Sequence, residues 1–232
     1  MNSRPKPKVL CVDDEMRVVE SLALLLRKDY DVQLASSAAE GLQKMGAMPD
    51  LAVVISDMRM PGMDGASFLH EVMLRRPDAT RILLTGEAGR EGAIRAVNEG
   101  QIFRFLTKPC PIDQLKSAIE AGVVQHRVVL AERAVLRETL IGAINALMEV
   151  LAIANPVAFG RGSRIKRLVM NCAEKLCSSG FWHLEAAALL SQVGYVGLSP
   201  ALIEKLHFGE ALTPEEQAQV AAGPEVAQKV LD

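Results

Sequence analysis

The chain has almost no net charge. Its 26 basic and 28 acidic residues leave a formal −2 over 232 residues, with a pI of about 6.1. Nucleic-acid binders concentrate positive charge on one face, so this balance gives no footprint for DNA. One dense basic stretch, Arg161-Gly162-Ser163-Arg164-Ile165-Lys166-Arg167, reads as a solvated helix face. The four cysteines, Cys11, Cys110, Cys172 and Cys177, include no Cys-x-x-Cys pair and no His/Cys metal spacing. They therefore suggest neither a redox pair nor a zinc site and suit a reducing cytoplasm. Cys11, inside an apolar run, reads as a core thiol. No run of 18 apolar residues occurs, so no membrane partner is expected. Met1 to Lys8 lacks the apolar core of a signal peptide, and the expected location is the cytoplasm. There is no internal repeat and no low-complexity tract.

What is present is a half-apolar chain with 23% charged residues, enough for one large or two small cores. After a disordered leader at 1–7, the pattern predicts strands near 8–12, 31–35, 51–56, 80–84 and 102–106. Helices are predicted near 15–28, 37–47, 64–75, 89–99 and 111–124. Five alternating units of this kind predict an α/β fold, a doubly wound five-stranded parallel sheet. Leu51 to Ile55 is apolar throughout, as a strand covered on both faces should be.

In such a sheet the C-terminal strand ends meet at one edge, where ligands bind. Asp13 and Asp14 close the first run, Asp57 closes the third, and Lys108 follows the fifth. Three close carboxylates repel one another, and a hard cation such as Mg²⁺, with its oxygen ligands and retained waters, would relieve that repulsion. Asp57 is the candidate nucleophile. Lys108 can neutralise a transferring phosphoryl group, and Thr85 can supply a hydroxyl. The turn Met60-Pro61-Gly62-Met63-Asp64-Gly65 would bring the Arg59 backbone carbonyl toward the metal.

From about residue 123 the pattern is purely helical. Leu136, Leu140, Ile144, Leu147, Leu151 and Ala154 form one apolar stripe, either a two-chain coiled coil or the first helix of a second core. Asn155-Pro156 punctuates the chain. Helices are predicted near 163–178, 184–192 and 214–222. Gly194, Gly197 and Ser199-Pro200 suggest an irregular loop between the last two.

Residues 8–124 resemble a response regulator receiver domain. The resemblance is carried by Val12-Asp13-Asp14-Glu15, Ser56-Asp57-Met58-Arg59-Met60-Pro61-Gly62-Met63-Asp64-Gly65, Leu83-Leu84-Thr85-Gly86 and Thr107-Lys108-Pro109. It implies a flavodoxin-like fold and phosphorylation of Asp57 by a histidine kinase or phosphotransfer protein. It also implies Mg²⁺ held by Asp13, Asp14, Asp57 and the Arg59 carbonyl, and a phosphoryl contact from Lys108. Thr85 and Phe105 take the switch positions, and a cis bond before Pro109 is expected. Residues 125–154 would be a linking helix, with a homodimer through it.

The segment 155–232 resembles an HD-GYP domain, a phosphohydrolase of the HD superfamily acting on cyclic di-GMP, and reads as part of a longer helical domain. The frame is carried by Asn155-Pro156, Gly160 to Ile165, Leu184 to Ser199, Leu212-Thr213-Pro214-Glu215-Glu216 and Gly223-Pro224. Its metal-binding positions are replaced by Arg161, Ser191, Gln192 and Gly223, and its lysine by Tyr195. Serine and glutamine bind transition metals poorly, and without metal no activated hydroxide forms. The resemblance therefore implies a degenerate, non-catalytic output without transition metal that acts on a downstream protein partner. The four histidines read as surface or capping residues, with His207 in a loop. An active cyclic di-GMP phosphodiesterase with an unconventional metal set is the first alternative. A DNA-binding regulator is the second.

Overall fold

The computed structural model describes residues 5–86, 102–154, 156–176, 181–195, 197–223, 225 and 228. The chain divides into two compact units, Met1–Glu132 and Arg133–Asp232. Among the described residues no helix is long and apolar enough to cross a membrane.

In the first unit, β1 (Lys8–Val12), β2 (Asp31–Ala35), β3 (Leu51–Asp57), β4 (Thr80–Thr85) and β5 (Arg104–Thr107) build one sheet. Its order is β2-β1-β3-β4-β5, and every pairing is parallel. Alternate residues of each strand face opposite sides, so β1 sends Leu10 and Val12 into one core and Val9 and Cys11 into the other. Helices α2 (Ala38–Gly46) and α3 (Gly65–Arg75) cover the first side, through Met45, Phe68, Leu69 and Val72. Helix α1 (Met16–Leu26) and the start of α4 (Ile112–Ala154) cover the second, through Val19, Leu26, Leu115 and Ile119. All seven residues of β3 are buried, as its apolar run predicts. Burial pushes the Cys11 thiol up to about 12, which fits an inert core cysteine.

Helix α2 starts on a built cap. The Ser37 hydroxyl accepts from the Glu40 N–H at 3.3 Å, and the Ser36 N–H donates back to Glu40 Oε2 at 2.7 Å. The hydrogen bond from Lys44, then those from Ser36, hold the Glu40 carboxyl down to about 2 from its ordinary 4.5. A lowered carboxyl pKa stabilises the fold above the ordinary value, and that contribution disappears as pH falls through the folded value. Glu40→Gln should therefore flatten the stability loss between pH 4.5 and about 2, measured as unfolding midpoint against pH.

The structure departs from the predicted boundaries in several places. β5 begins at Arg104 rather than 102, because its ladder with β4 starts at the Ile82–Arg104 pairing. The helices predicted at 111–124 and 125–154 are one element, α4, of 43 residues. Gly122 does not break it: a Cβ there would lie 3.2 Å from Thr80 Cγ2, and the Thr80 hydroxyl donates to its carbonyl at 2.8 Å. The helix predicted at 89–99 lies outside the described residues.

The second unit is helical: the end of α4, then α5 (Pro156–Leu176), α6 (Trp182–Leu190), a 3₁₀ turn (Val193–Tyr195), α7 (Pro200–Phe208) and α8 (Pro214–Ala221). Helix α5 starts seven residues earlier than predicted, since proline suits the first helical position. Helix α7 replaces part of the predicted loop. The Ser199 hydroxyl caps it by accepting from the Leu202 N–H, Pro200 opens it, and Gly209 closes it at φ 72°. His207 therefore lies on a helix. The predicted stripe on α4 also divides. Ile144 joins Ile141 and Met148 in the core of the second unit, whereas Leu136, Leu140 and Leu147 are exposed. The side chains of Leu151 and Ala154 lie outside the described residues.

Candidate functional site: a carboxylate–lysine pocket

Asp57 is the last residue of β3, and Asp13 follows β1 directly. Parallel pairing of β1 with β3 sets the two carboxylates at one edge, where Asp13 is 3% and Asp57 7% exposed. Lys108 follows β5, in a turn closed by a cis Lys108–Pro109 bond and tied down by its N–H donating to the Thr85 carbonyl at 2.8 Å. Its ammonium joins both acids, 2.8 Å from Asp13 Oδ2 and in direct contact with Asp57 Oδ1. Two buried carboxylates would otherwise repel, so this cation balances the pocket. Partial burial pulls the Lys108 pKa down, but the hydrogen bonds and charges of Asp13 and Asp57 outweigh it, and the net shift is upward. The lysine is thus a full cation at neutral pH.

Backbone groups aim the acids. The Arg59 N–H donates to Asp57 Oδ2 at 2.6 Å, and the Glu15 N–H donates to Asp13 Oδ1 at 3.0 Å. The loop after Asp57 is pinned by the Met58 N–H on the Leu84 carbonyl, 2.8 Å, and the Gly65 N–H on the Met58 carbonyl, 2.9 Å. Gly65 must lack a side chain, because a Cβ there would stand 1.9 Å from the Asp57 carbonyl oxygen. The pattern places this glycine in a turn, but its close approach to Asp57 shows only once α3 is laid on β3. Gly65→Ala should destabilise the first unit by about 2–3 kcal/mol through overpacking, measured by denaturant unfolding.

The other predicted residues take varied places. Thr85 ends β4, is fully buried, and donates its hydroxyl to the Gly86 carbonyl at 3.0 Å. Phe105 lies on β5, partly buried against the core beside α2 and α3. Asp14 is exposed, and among the described residues no three carboxylate, histidine or cysteine side chains gather as a metal cluster. The donors that do converge, two buried carboxylates beside a backbone turn, are hard oxygen ligands. They fit a cation that keeps several of its own waters.

In the second unit Ser191 and Gln192 are hydrogen-bonded neighbours. Gln192 is 5% exposed and donates through Nε2 to Ser191 Oγ at 3.2 Å, while the Ser191 hydroxyl donates to the Ala188 carbonyl at 2.7 Å. A Cβ on Gly162, next to Arg161, would lie 3.3 Å from Gln192 Cγ. The Arg161 guanidinium stands 6.0 Å from the Tyr195 ring centroid. Gly194 meets Gly223, whose carbonyl oxygen would lie 2.1 Å from an added Cβ. Among the histidines, His126 is neither surface nor cap: it is buried, with Nδ1 2.7 Å from the Asp78 carbonyl. That partner arrives from the turn before β4, far away in sequence, so helix position alone does not reveal it.

Residues 9–120 match the family described as response regulator receiver domain. A receiver domain structure from Clostridium thermocellum is 34% identical with TM-score 0.51, covering 53% of this chain and 98% of that one. A structure of adenylate cyclase from Rhodopirellula baltica is 36% identical with TM-score 0.56, covering 56% of this chain and 97% of that one. The signal receiver domain of an HD domain-containing protein from Pseudomonas fluorescens Pf-5 is 30% identical with TM-score 0.51, covering 58% and 96%. Through this segment the chain belongs to the response regulator receiver family, and its first unit is the receiver of a two-component response regulator. Among curated relatives, the hydrogenase transcriptional regulatory protein HoxA of Cupriavidus necator is 37% identical over 54% of this chain. The transcriptional regulatory protein GlrR of Escherichia coli is 34% identical over 65% of it. The chain spans only 27% and 33% of these two proteins.

Proposed function

We propose that Asp57 accepts a phosphoryl group from a histidine kinase or phosphotransfer protein, and that the second unit is a non-catalytic, HD-like output acting through protein contact in the cytoplasm. The observation that carries the first part is the Lys108 ammonium joining Asp13 to Asp57 at the sheet edge. An Asp57 oxygen attacks phosphorus as the bond from phosphorus to the donor imidazole nitrogen breaks. The bonding pair returns to that nitrogen. Lys108 stands where it neutralises the equatorial oxygens, and the Arg59 N–H holds the second Asp57 oxygen. Mg²⁺, which Asp13, Asp14, Asp57 and the Arg59 carbonyl would hold, would supply further positive charge at the phosphoryl group. The Thr85 hydroxyl then turns toward the phosphate, Phe105 turns inward, and the receiver surface near β5 changes state.

Two observations support the HD-like reading of the second unit. Arg161 stands near Tyr195, Gly162 near Gln192 and Gly194 near Gly223, and a 30% identical receiver comes from an HD domain-containing protein. Its non-catalytic character rests on the buried Gln192 and its neighbour Ser191, which lack metal-binding strength. The test treats the full chain with Mg²⁺ and a small phosphodonor, then assays metal content and cyclic di-GMP turnover. Phosphoryl uptake that stops with a chelator, no bound transition metal and no turnover is expected. Turnover with bound metal would overturn the non-catalytic reading. The names of the relatives make DNA the competing output partner, and a salt-dependent mobility shift of DNA by the chain would favour it.

A further inference from the structure

The basic stretch of α5 divides once the helix is packed. Lys166 joins Glu185 Oε1 of α6 at 2.6 Å, and the Arg161 guanidinium stands 6.0 Å from the Tyr195 ring centroid. Arg164 and Arg167 stay exposed, as do Leu168, Asn171 and Lys175. Arg164, Leu168, Asn171 and Lys175 follow one another at spacings of four, three and four, so they form one line along the helix, with Arg167 beside it. Leu168, inside that line, is 63% exposed. Among the described residues no ion pair or hydrogen bond reaches the side chains of Arg164, Arg167 or Lys175. Glu174, the only acid of α5, is next to Lys175 in sequence, and adjacent helix positions do not face each other. Arg164 and Arg167 are like charges three residues apart, an arrangement that weakens a helix. The helix therefore gains nothing from that pair, whereas Lys166 and, on α7, Lys205 each have an acid partner.

We infer that this row docks an acidic segment of a downstream protein, one that carries an apolar side chain between its carboxylates. The inference rests on the reading of the second unit as an output acting through protein contact. The unpaired cations set the acidic character of the partner, and Leu168 sets the apolar one. Arginine is enriched in protein interfaces, and apolar side chains form their buried centre. From Arg164 to Lys175 the line runs about 16 Å, at about 1.5 Å per residue, which matches about three helical turns or five extended residues of a partner. Other anionic partners fit less well. Nucleic-acid binders neutralise about six to ten phosphates, and a phosphate backbone offers Leu168 nothing apolar. An amphipathic helix that lies on a lipid surface buries a whole apolar face, and here one leucine stands among the charges.

The experiment selects displayed short random peptides on the immobilised full chain, with Mg²⁺ and a phosphodonor present or absent. The enriched peptides should be acidic with an apolar residue among the carboxylates, and their affinity, read by fluorescence anisotropy, should fall as salt rises. Arg164→Glu with Arg167→Glu should weaken it about 30-fold or more, by setting like charges opposite each other, and Leu168→Asn should weaken it about tenfold. Arg137→Glu, which reverses an exposed cation on α4 outside the row, should leave it unchanged. These positions are all exposed, so circular dichroism should stay that of the wild type, and phosphoryl uptake at Asp57 should persist. Enrichment of peptides without acidic bias, no enrichment at all, or an affinity unchanged in the double variant would overturn the proposal. The last of these would leave output through protein contact standing, on another surface. Duplex DNA or phosphatidylglycerol vesicles bound by the wild-type chain and released by the double variant, with no peptide enriched, would overturn both.

Discussion

Asp57→Ala should take up no phosphoryl group from a small phosphodonor, whereas the wild-type chain takes up one. The loss follows from position. Asp57 is the carboxylate at the end of β3 whose Oδ1 meets Lys108 and whose Oδ2 is fixed by the Arg59 N–H. Asp13 shares the same lysine, but its other oxygen is held by the Glu15 N–H. It therefore serves the pocket as a charge and does not replace the nucleophile. Lys108→Ala should leave Asp57 present but slow uptake by about 10²–10³-fold, as expected when one preorganised positive group is removed from a transferring phosphoryl. Both rates come from intact-mass time courses. Lys108→Ala also leaves Asp13 and Asp57 unbalanced and adjacent, so circular dichroism should accompany the rate.

Phe68→Ala should be the most destabilising single change in the receiver, by about 3–5 kcal/mol. The Phe68 side chain is fully buried, the bulkiest of those that are among the described residues. It lies on α3 and fills the space against α2 and β1: a Cβ built on Gly41 would reach its ring at 3.0 Å and Val12 Cγ2 at 3.1 Å. The cavity would therefore open where three elements meet, and small residues such as Gly41 cannot fill it. Hydrogen exchange of the β1 and β3 amides should accelerate by about two to three and a half decades, the equivalent of that free energy where exchange follows global opening. An acceleration under tenfold would show that the site collapses around the truncation.

The receiver was readable because each of its strands is a short apolar run and three of those runs end on, or next to, a charge. A parallel sheet turns that one-dimensional pattern into a shared edge, so Asp13, Asp57 and Lys108 could be placed together from sequence. Asp14 could not be placed apart from Asp13 in this way, since adjacent residues share a strand end while only one side chain turns inward. Gly65 shows another gap, because its need for an absent Cβ arises from contact with the Asp57 carbonyl, a tertiary event. Helix continuity was harder. No proline interrupts Ile112–Ala154, yet a break near residue 124 followed from the change in pattern alone. Helix α7 was legible in principle: Ser199-Pro200 is a cap followed by a first-turn proline, but the preceding glycines drew the reading toward a loop. The stripe on α4 mixes residues of two faces. Spacings of three and four do not separate Ile144, which enters its own core, from Leu140 and Leu147, which remain exposed.

The most direct test of the account is to locate the phosphoryl group. The chain is treated with Mg²⁺ and a phosphodonor, the acyl phosphate is reduced with borohydride, and the modified residue is mapped by peptide mass spectrometry. The account predicts modification at Asp57 alone. Modification at Asp13 or Asp14, or none in a chain that keeps its fold, would contradict it.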